Sequence, residues 1–222
     1  MVVSDAEALQ PEFRSEMTVE LVRSNAADTD VLFAARVSTQ GEQTLAAAMD
    51  EATDAARSRG LINYLMRDRH GSPFEHNSMT FYVQAPIFVF REFMRHRIAS
   101  YNEESGRYRE LRPVFYVPGA ERNLIQVGKA GAYEFHPGTP EQTQLAVTEA
   151  TRQATEAYAS YQRMPDAGIA REAARIVLPL SIYSSMYVTM NARSLMNFLS
   201  LRTKREGTHF PSFPQREIEM VA

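Results

Sequence analysis

Cysteine is absent from this chain of 222 residues, which removes disulfides, thiolate metal sites and every mechanism that begins with a thiol nucleophile. No apolar stretch is long and charge-free enough to cross a bilayer, and the N-terminus lacks the basic-then-apolar pattern of a secretory signal. The expected location is the cytoplasm, away from membranes. Positive charge is not in excess either. A formal net charge of −3 argues against a general nucleic-acid binder while leaving room for a local basic site. Internal repeats, low-complexity tracts and clear linkers are also missing. What remains is an ordinary globular composition, long enough for a buried core. The expected organisation is a polar, flexible arm over residues 1–16 and a single domain over residues 17–222.

Hydrophobic periodicity and turn chemistry predict an α+β chain. Thr18–Ser24 reads as a strand and Asp28–Val37 as a short helix. Thr44–Arg67 is Ala-rich and helical in pattern, with breaks expected near Asp50–Thr53 or Gly60. Met79–Gln84 alternates as a strand, and Pro86 is suited to the first turn of a helix reaching Arg97. On such a helix Arg91 and Arg95 share a face, as do Glu92 and His96. Arg112–Pro118 reads as a short strand and Gly119–Gly138 as an irregular excursion. Thr139–Arg163 is a long helix with Pro140 near its start, and Ile169–Val177 a shorter one before Pro179. Ile182–Met190 is a strand, after which Asn191 caps a helix through Lys204.

The densest chemistry lies in Arg95–Tyr108, where three arginines, a histidine and two glutamates occupy fourteen positions after an apolar segment. Arginine forks recognise phosphates and carboxylates bidentately, and Ser or Asn donors complete such a cradle. The stretch therefore predicts a site for an anionic, nucleotide-like ligand. By charge counting alone it also reads as an ion-paired helix end.

The run fits the pattern R-H-R-x-x-S-x-N-E-x-S-x-R-Y at every fixed position, and in this it resembles the flavin-dependent thymidylate synthases. The likeness extends to His70–His76, Glu172–Pro179 and Asn191–Arg202, so it spans most of residues 17–220. The resemblance implies an α+β fold, a mixed helix–sheet core with long flanking helices. It also implies conversion of dUMP to dTMP, with methylenetetrahydrofolate as one-carbon donor and NADPH as reductant through bound FAD. Thiolate-dependent thymidylate synthases attack the uracil ring with a cysteine. A chain without one needs a cofactor to supply that reactivity.

The site residues follow from the same resemblance. Arg95, His96, Arg97 and Glu103 are expected at the flavin, with Ser72, Asn191, Arg193 and Asn197. Ser105 and Arg107 are expected at the nucleotide phosphate, joined by Arg175 from a neighbouring subunit. Glu92, Arg95, Glu103, Glu104 and Gly106 complete the nucleotide set. Glu92 stands where some relatives have Gln, and an anion there is suited to orienting Arg95. His70 and Glu75 are placed in the folate or flavin vicinity. With His76 they lack regular helical ligand spacing, so no metal is expected.

Arg202 is assigned to the pyrimidine ring, where a fixed positive charge favours the ionised imide and makes carbon 5 more nucleophilic. Family members are homotetramers with shared active sites. The alternative is a non-catalytic nucleotide- or RNA-binding protein that uses the Arg95–Tyr108 cluster, with Tyr101 and Tyr108 for stacking.

Overall fold

The computed structural model describes residues 10–41, 55–129 and 132–222. The strands are β1 (Glu12–Arg14), β2 (Thr18–Asn25), β3 (Ser78–Pro86), β4 (Ser100–Glu103), β5 (Val114–Tyr116), β6 (Ile125–Lys129), β7 (Ala132–His136) and β8 (Tyr183–Met190). The helices are α1 (Asp28–Gln40), α2 (Ala55–Arg67), α3 (Ile87–Phe93), α4 (Pro140–Asp166), α5 (Arg171–Ala174), α6 (Ala192–Arg202) and α7 (Arg216–Glu219). Short 3₁₀ turns occupy Ser72–Glu75 and Arg175–Val177. The chain is α+β.

These elements form two compact units. One holds the described residues of Met1–Thr18 with Gln84–Phe93 and Glu103–Ser185. The other holds Val19–Val83, Met94–Asn102 and Met186–Ala222.

The first unit is organised by α4. Thr139 and Gln142 cap its start reciprocally, each side chain accepting the other's backbone N–H, and Pro140 follows at the first helical position. Ala154, Tyr158 and Tyr161 repeat at helical spacing and bury one face of α4 against Phe115 and Ile182. Tyr158 keeps its polar end satisfied, donating toward Glu110 and the Leu111 carbonyl at 3.1 and 3.2 Å. Burial pushes its hydroxyl well above the usual tyrosine range, with the nearby Glu110 charge adding to the rise. Strands β1 and β5 pair in parallel, Phe13 opposite Phe115, so part of the segment expected as an arm is a strand.

The second unit contains most of a four-stranded sheet in the order β2-β3-β8-β4. Cross-strand side-chain pairs join β3 to β8: Thr80 to Thr189 at 2.9 Å, and Tyr82 to Tyr187 with ring centroids 5.9 Å apart. Val31 of α1, Leu65 of α2 and Phe74 form its helical core, packed against Ala192 and Met196 of α6.

Several expectations change. The helix after β3 stops at Phe93, so Arg91 and Arg95 share no helical face and the run from Arg95 is a non-helical exit. A short strand, β4, lies inside the signature. Residues 119–138 are not wholly irregular, because β6 and β7 make an antiparallel hairpin with Ile125 opposite His136. Helix α2 passes through Gly60 without a break, while the expected break at Asp50–Thr53 lies outside the described residues.

Helix α6 starts as its sequence predicts. Asn191 Oδ1 accepts the Ser194 backbone N–H at 2.9 Å, satisfying a helix-end donor. Replacing Asn191 by Ala is expected to lower stability by about 1 kcal/mol in urea unfolding, and Asn191→Ser to restore most of it. Equal destabilisation by both would show that the cap is not the contribution.

Candidate active site

The signature divides between the units. Arg95–Asn102 falls in the second and Glu103–Tyr108 in the first.

In the first unit Glu103, Glu104, Gly106 and Arg175 line one pocket of about 290 Å³, with Ile87, Leu111, Leu178 and Ile182 as apolar wall. A tight turn shapes its rim: the Ser105 carbonyl accepts the Tyr108 N–H at 3.1 Å and the Ser105 hydroxyl accepts the Arg107 N–H at 3.3 Å. Gly106 is buried there because a Cβ would stand 3.2 Å from Leu111 Cδ1 and 3.5 Å from Arg175 Cδ. Close approach, rather than left-handed backbone, is what glycine supplies.

The charges in this pocket differ in how firmly they are held. Glu104 is tied down, pairing with Arg109 Nε at 3.0 Å and accepting from the Ser185 hydroxyl at 3.2 Å. Arg107 pairs with Glu172 at 2.9 Å, but both side chains are about half exposed. Such a pair contributes roughly 0–1 kcal/mol, so a phosphate can displace it. Arg175 is exposed and makes no close ion pair among the described residues. Glu92, near the end of α3, does not line this pocket.

Burial pushes the Glu103 carboxyl above the usual carboxylate range. The nearby Ser184 hydroxyl opposes the rise, Glu104 adds to it and Arg175 opposes it. Ser184, also on the pocket wall, is buried and its Oγ makes no well-aligned hydrogen bond. A buried hydroxyl that faces Glu103 without a well-aligned bond is suited to a polar ligand group. Nothing in the sequence distinguished Ser184 from its neighbours Ser181 and Ser185.

In the second unit Arg193 Nη1 pairs with Glu75 at 2.5 Å. Gly71 lets the guanidinium lie close, since a Cβ there would stand 2.8 Å from Arg193 Nε. Asn197 lies one turn further along α6, exposed. The Asn191 side-chain oxygen is committed to the cap, leaving its NH₂ for a ligand. His70 and Ser72 line a pocket of about 300 Å³ with Arg36, Ser38 and Thr39 of α1 and Tyr64 of α2. The His70 and Tyr64 rings stack with centroids 5.6 Å apart.

Arg95 and Arg97 are exposed and make no ion pair among the described residues. His96 is half-buried and accepts from Arg202 Nε at 3.0 Å. Tyr101 donates its hydroxyl to the His96 carbonyl at 2.6 Å. Among the described residues no group of three or more His, Cys, Asp or Glu is arranged to hold a metal ion. No helix among them is long and apolar enough to cross a membrane.

Two sets of cationic and amide donors, each beside a pocket, suit ligands bearing phosphates. Comparison with known proteins identifies the family. The thymidylate synthase complementing protein family matches residues 20–222. A flavin-dependent thymidylate synthase of Streptomyces coelicolor is 67% identical over 95% of this chain and 85% of its own length. One from Tropheryma whipplei is 59% identical over 96% of this chain and 88% of its own. A crystal structure of the UMP/dUMP methylase PolB from Streptomyces cacaoi, bound with 5-Br dUMP, superposes with a TM-score of 0.86 at 58% identity, covering 95% of this chain and 88% of that one. The structure of PolB bound with 5-Br UMP gives 0.84 at 56% identity, over 95% and 87% of the two chains. The chain belongs to the flavin-dependent thymidylate synthase family of enzymes.

A raised Glu103 pKa has a sign that stability measurements read. The folded state keeps the proton at pH values where the unfolded chain has released it, so stability falls as pH rises from about 4.5 through the raised value. Glu103→Gln is therefore expected to stabilise the unliganded protein at pH 7–8, with the gain disappearing below pH 4. A gain that persists at acid pH would assign it to something other than the carboxylate charge.

Proposed function

We propose that this chain catalyses the reductive methylation of dUMP to dTMP. Methylenetetrahydrofolate donates the one-carbon unit and NADPH supplies the reducing equivalents through bound FAD. The observation that carries the reading is that Arg175, distant in sequence from Glu103, Glu104 and Gly106, lines one pocket with them. They are the residues that the family signature and the Glu172–Pro179 segment assign to the nucleotide.

The donor sets fit the two ligands. Arg107 and Arg175, with the Ser105 turn, would hold the nucleotide phosphate. Arg95, Arg97, Arg193 and Asn197 would hold FAD, with Ser72 and the Asn191 amide. A dinucleotide needs several cations for its pyrophosphate, and Arg95 and Arg97 are available without breaking any pair. Glu103 is assigned to both ligands, while His70 and Glu75 belong to the folate or flavin vicinity. Glu92 is assigned to the nucleotide.

Bound flavin supplies the two-electron reduction that brings a methylene-level carbon to a methyl group. The chain's own part is electrostatic and positional. With no cysteine to add to the ring, activation of the pyrimidine falls to fixed charge. Arg202 stabilises the ionised imide and raises the electron density at carbon 5, where the new carbon–carbon bond forms and from which a proton must leave.

Residues 17–222 act as one functional domain in a cytoplasmic homotetramer with shared active sites. Supporting the assembly, Val19, Leu21 and Val22 of edge strand β2 are 42, 57 and 53% exposed, and an apolar edge strand is a pairing surface.

Arg202→Ala is the direct test. It is expected to lower the rate of dTMP formation by roughly 10²- to 10³-fold while FAD stays bound, read from visible absorbance after desalting. Loss of FAD in proportion to lost turnover would move Arg202 from the pyrimidine to the flavin.

A further inference from the structure

His96 occupies a particular place within the second unit. It follows the end of α3, and its ring meets Phe198 edge-on, with centroids 4.9 Å apart and planes at 81°. Its Nε2 accepts the Arg202 Nε–H at 3.0 Å. Phe198 and Arg202 are four residues apart on α6, so one imidazole spans a turn of one helix face. The His96 backbone is fixed as well, its carbonyl receiving the Tyr101 hydroxyl at 2.6 Å. The ring is thus anchored on two sides, by the Phe198 contact and by the Tyr101 bond to its main chain.

We propose that His96 is a positioning residue whose neutral imidazole, protonated on Nδ1, holds the guanidinium plane of Arg202 by accepting from its Nε. The role rests on the reading that Arg202 serves the pyrimidine. A bond at Nε fixes the plane in which both Nη groups lie, and a planar fork is useful only when that plane is set. Without the acceptor, the Arg202 Nε–H loses the partner that sets its direction. Pre-orientation also spares the site the cost of ordering a long side chain when the nucleotide arrives.

Only a neutral histidine can do this. Imidazolium has two N–H donors and no acceptor, and it would stand as a like charge against Arg202. The site keeps the ring neutral: burial lowers its pKa below the ordinary 6.5, and the Arg202 charge lowers it further. The groups facing it are Arg202 from α6 and Tyr101 from β4, with Arg95 and Arg97 as chain neighbours. Tyr101 is pushed up to about 12 by burial, so it remains a neutral donor throughout the working range. Protonation of His96 therefore removes the bond that orients the Arg202 Nε–H, and the device fails on the acid side.

Two variants separate this role from packing and from flavin contact. His96→Phe keeps an aromatic ring against Phe198 and removes the acceptor; His96→Gln keeps a carbonyl acceptor that does not titrate. Both are compared with wild type for FAD retention, KM for dUMP, and kcat for dTMP from pH 5 to 9. Wild type is expected to lose kcat below pH 6.5. His96→Phe is expected to retain FAD while kcat drops about 10- to 100-fold. His96→Gln is expected to recover kcat to within about threefold of wild type and to lack the acid limb. The proposal is overturned if the Phe variant turns over like wild type, if Gln is as defective as Phe, or if both lose FAD in step with turnover. Wild type that forms no dTMP at any pH would instead remove the functional reading, and this role with it.

Discussion

Charge crowding is the constraint on which this chain's chemistry depends. Ligands that carry phosphates call for several cations, and like charges gathered without those ligands repel one another. The fold holds some of its arginines on weak, replaceable partners and leaves others exposed. Arg107 rests on exposed Glu172 and Arg193 on exposed Glu75, while Arg202 donates from Nε to the His96 imidazole. Exposed pairs of this kind contribute little to stability, so exchanging a carboxylate for a phosphate costs little. Arg109 is held differently, by a Glu104 carboxylate only 16% exposed, and that pair stiffens the turn instead of waiting for a ligand.

Rigidity comes from elements that carry little chemistry. In the first unit the Tyr158 and Tyr161 face of α4 packs around Phe115 and fixes Leu111, whose side chain forms the wall against which Gly106 sits. In the second unit the Val31, Leu65 and Phe74 cluster packs against Ala192 and Met196, which sets the register of α6. Once α6 is fixed at its N-terminus by Asn191, Arg193, Asn197 and Arg202 occupy set positions along it. Helical geometry explains why one helix serves several groups: Arg193 meets Glu75 while Arg202, nine residues on, meets His96.

Much of this was legible in the sequence, for identifiable reasons. Asn191 before an apolar-periodic run, and Thr139-Pro140 before another, are start signals whose mechanism is local, and both helices begin there. The pocket residues Glu103, Glu104, Gly106 and Arg175 were legible through the family pattern, not through periodicity. The failures have physical causes too. Pro86 suggested a helix through Arg97, but the apolar pattern that buries such a helix ends at Phe93, and the arginines of the charged run beyond it are exposed. The β6–β7 hairpin escaped notice because its residues are mostly exposed, so no face alternates. Ser184 and the Tyr101–His96 bond were invisible because each depends on contacts between residues from different elements or across a bend.

The central claim is that a chain without cysteine methylates dUMP by positioning and charge, with reducing equivalents arriving through flavin. An anaerobic single turnover tests it most directly. The FAD-loaded protein is reduced with one equivalent of NADPH, then mixed with dUMP and methylenetetrahydrofolate, and dTMP and flavin absorbance are followed together. The account predicts that dTMP forms and the oxidised flavin bands return in equal amounts, with tetrahydrofolate as the other product. Flavin that stays reduced with no dTMP formed, or dTMP that forms without any change in flavin, would contradict it.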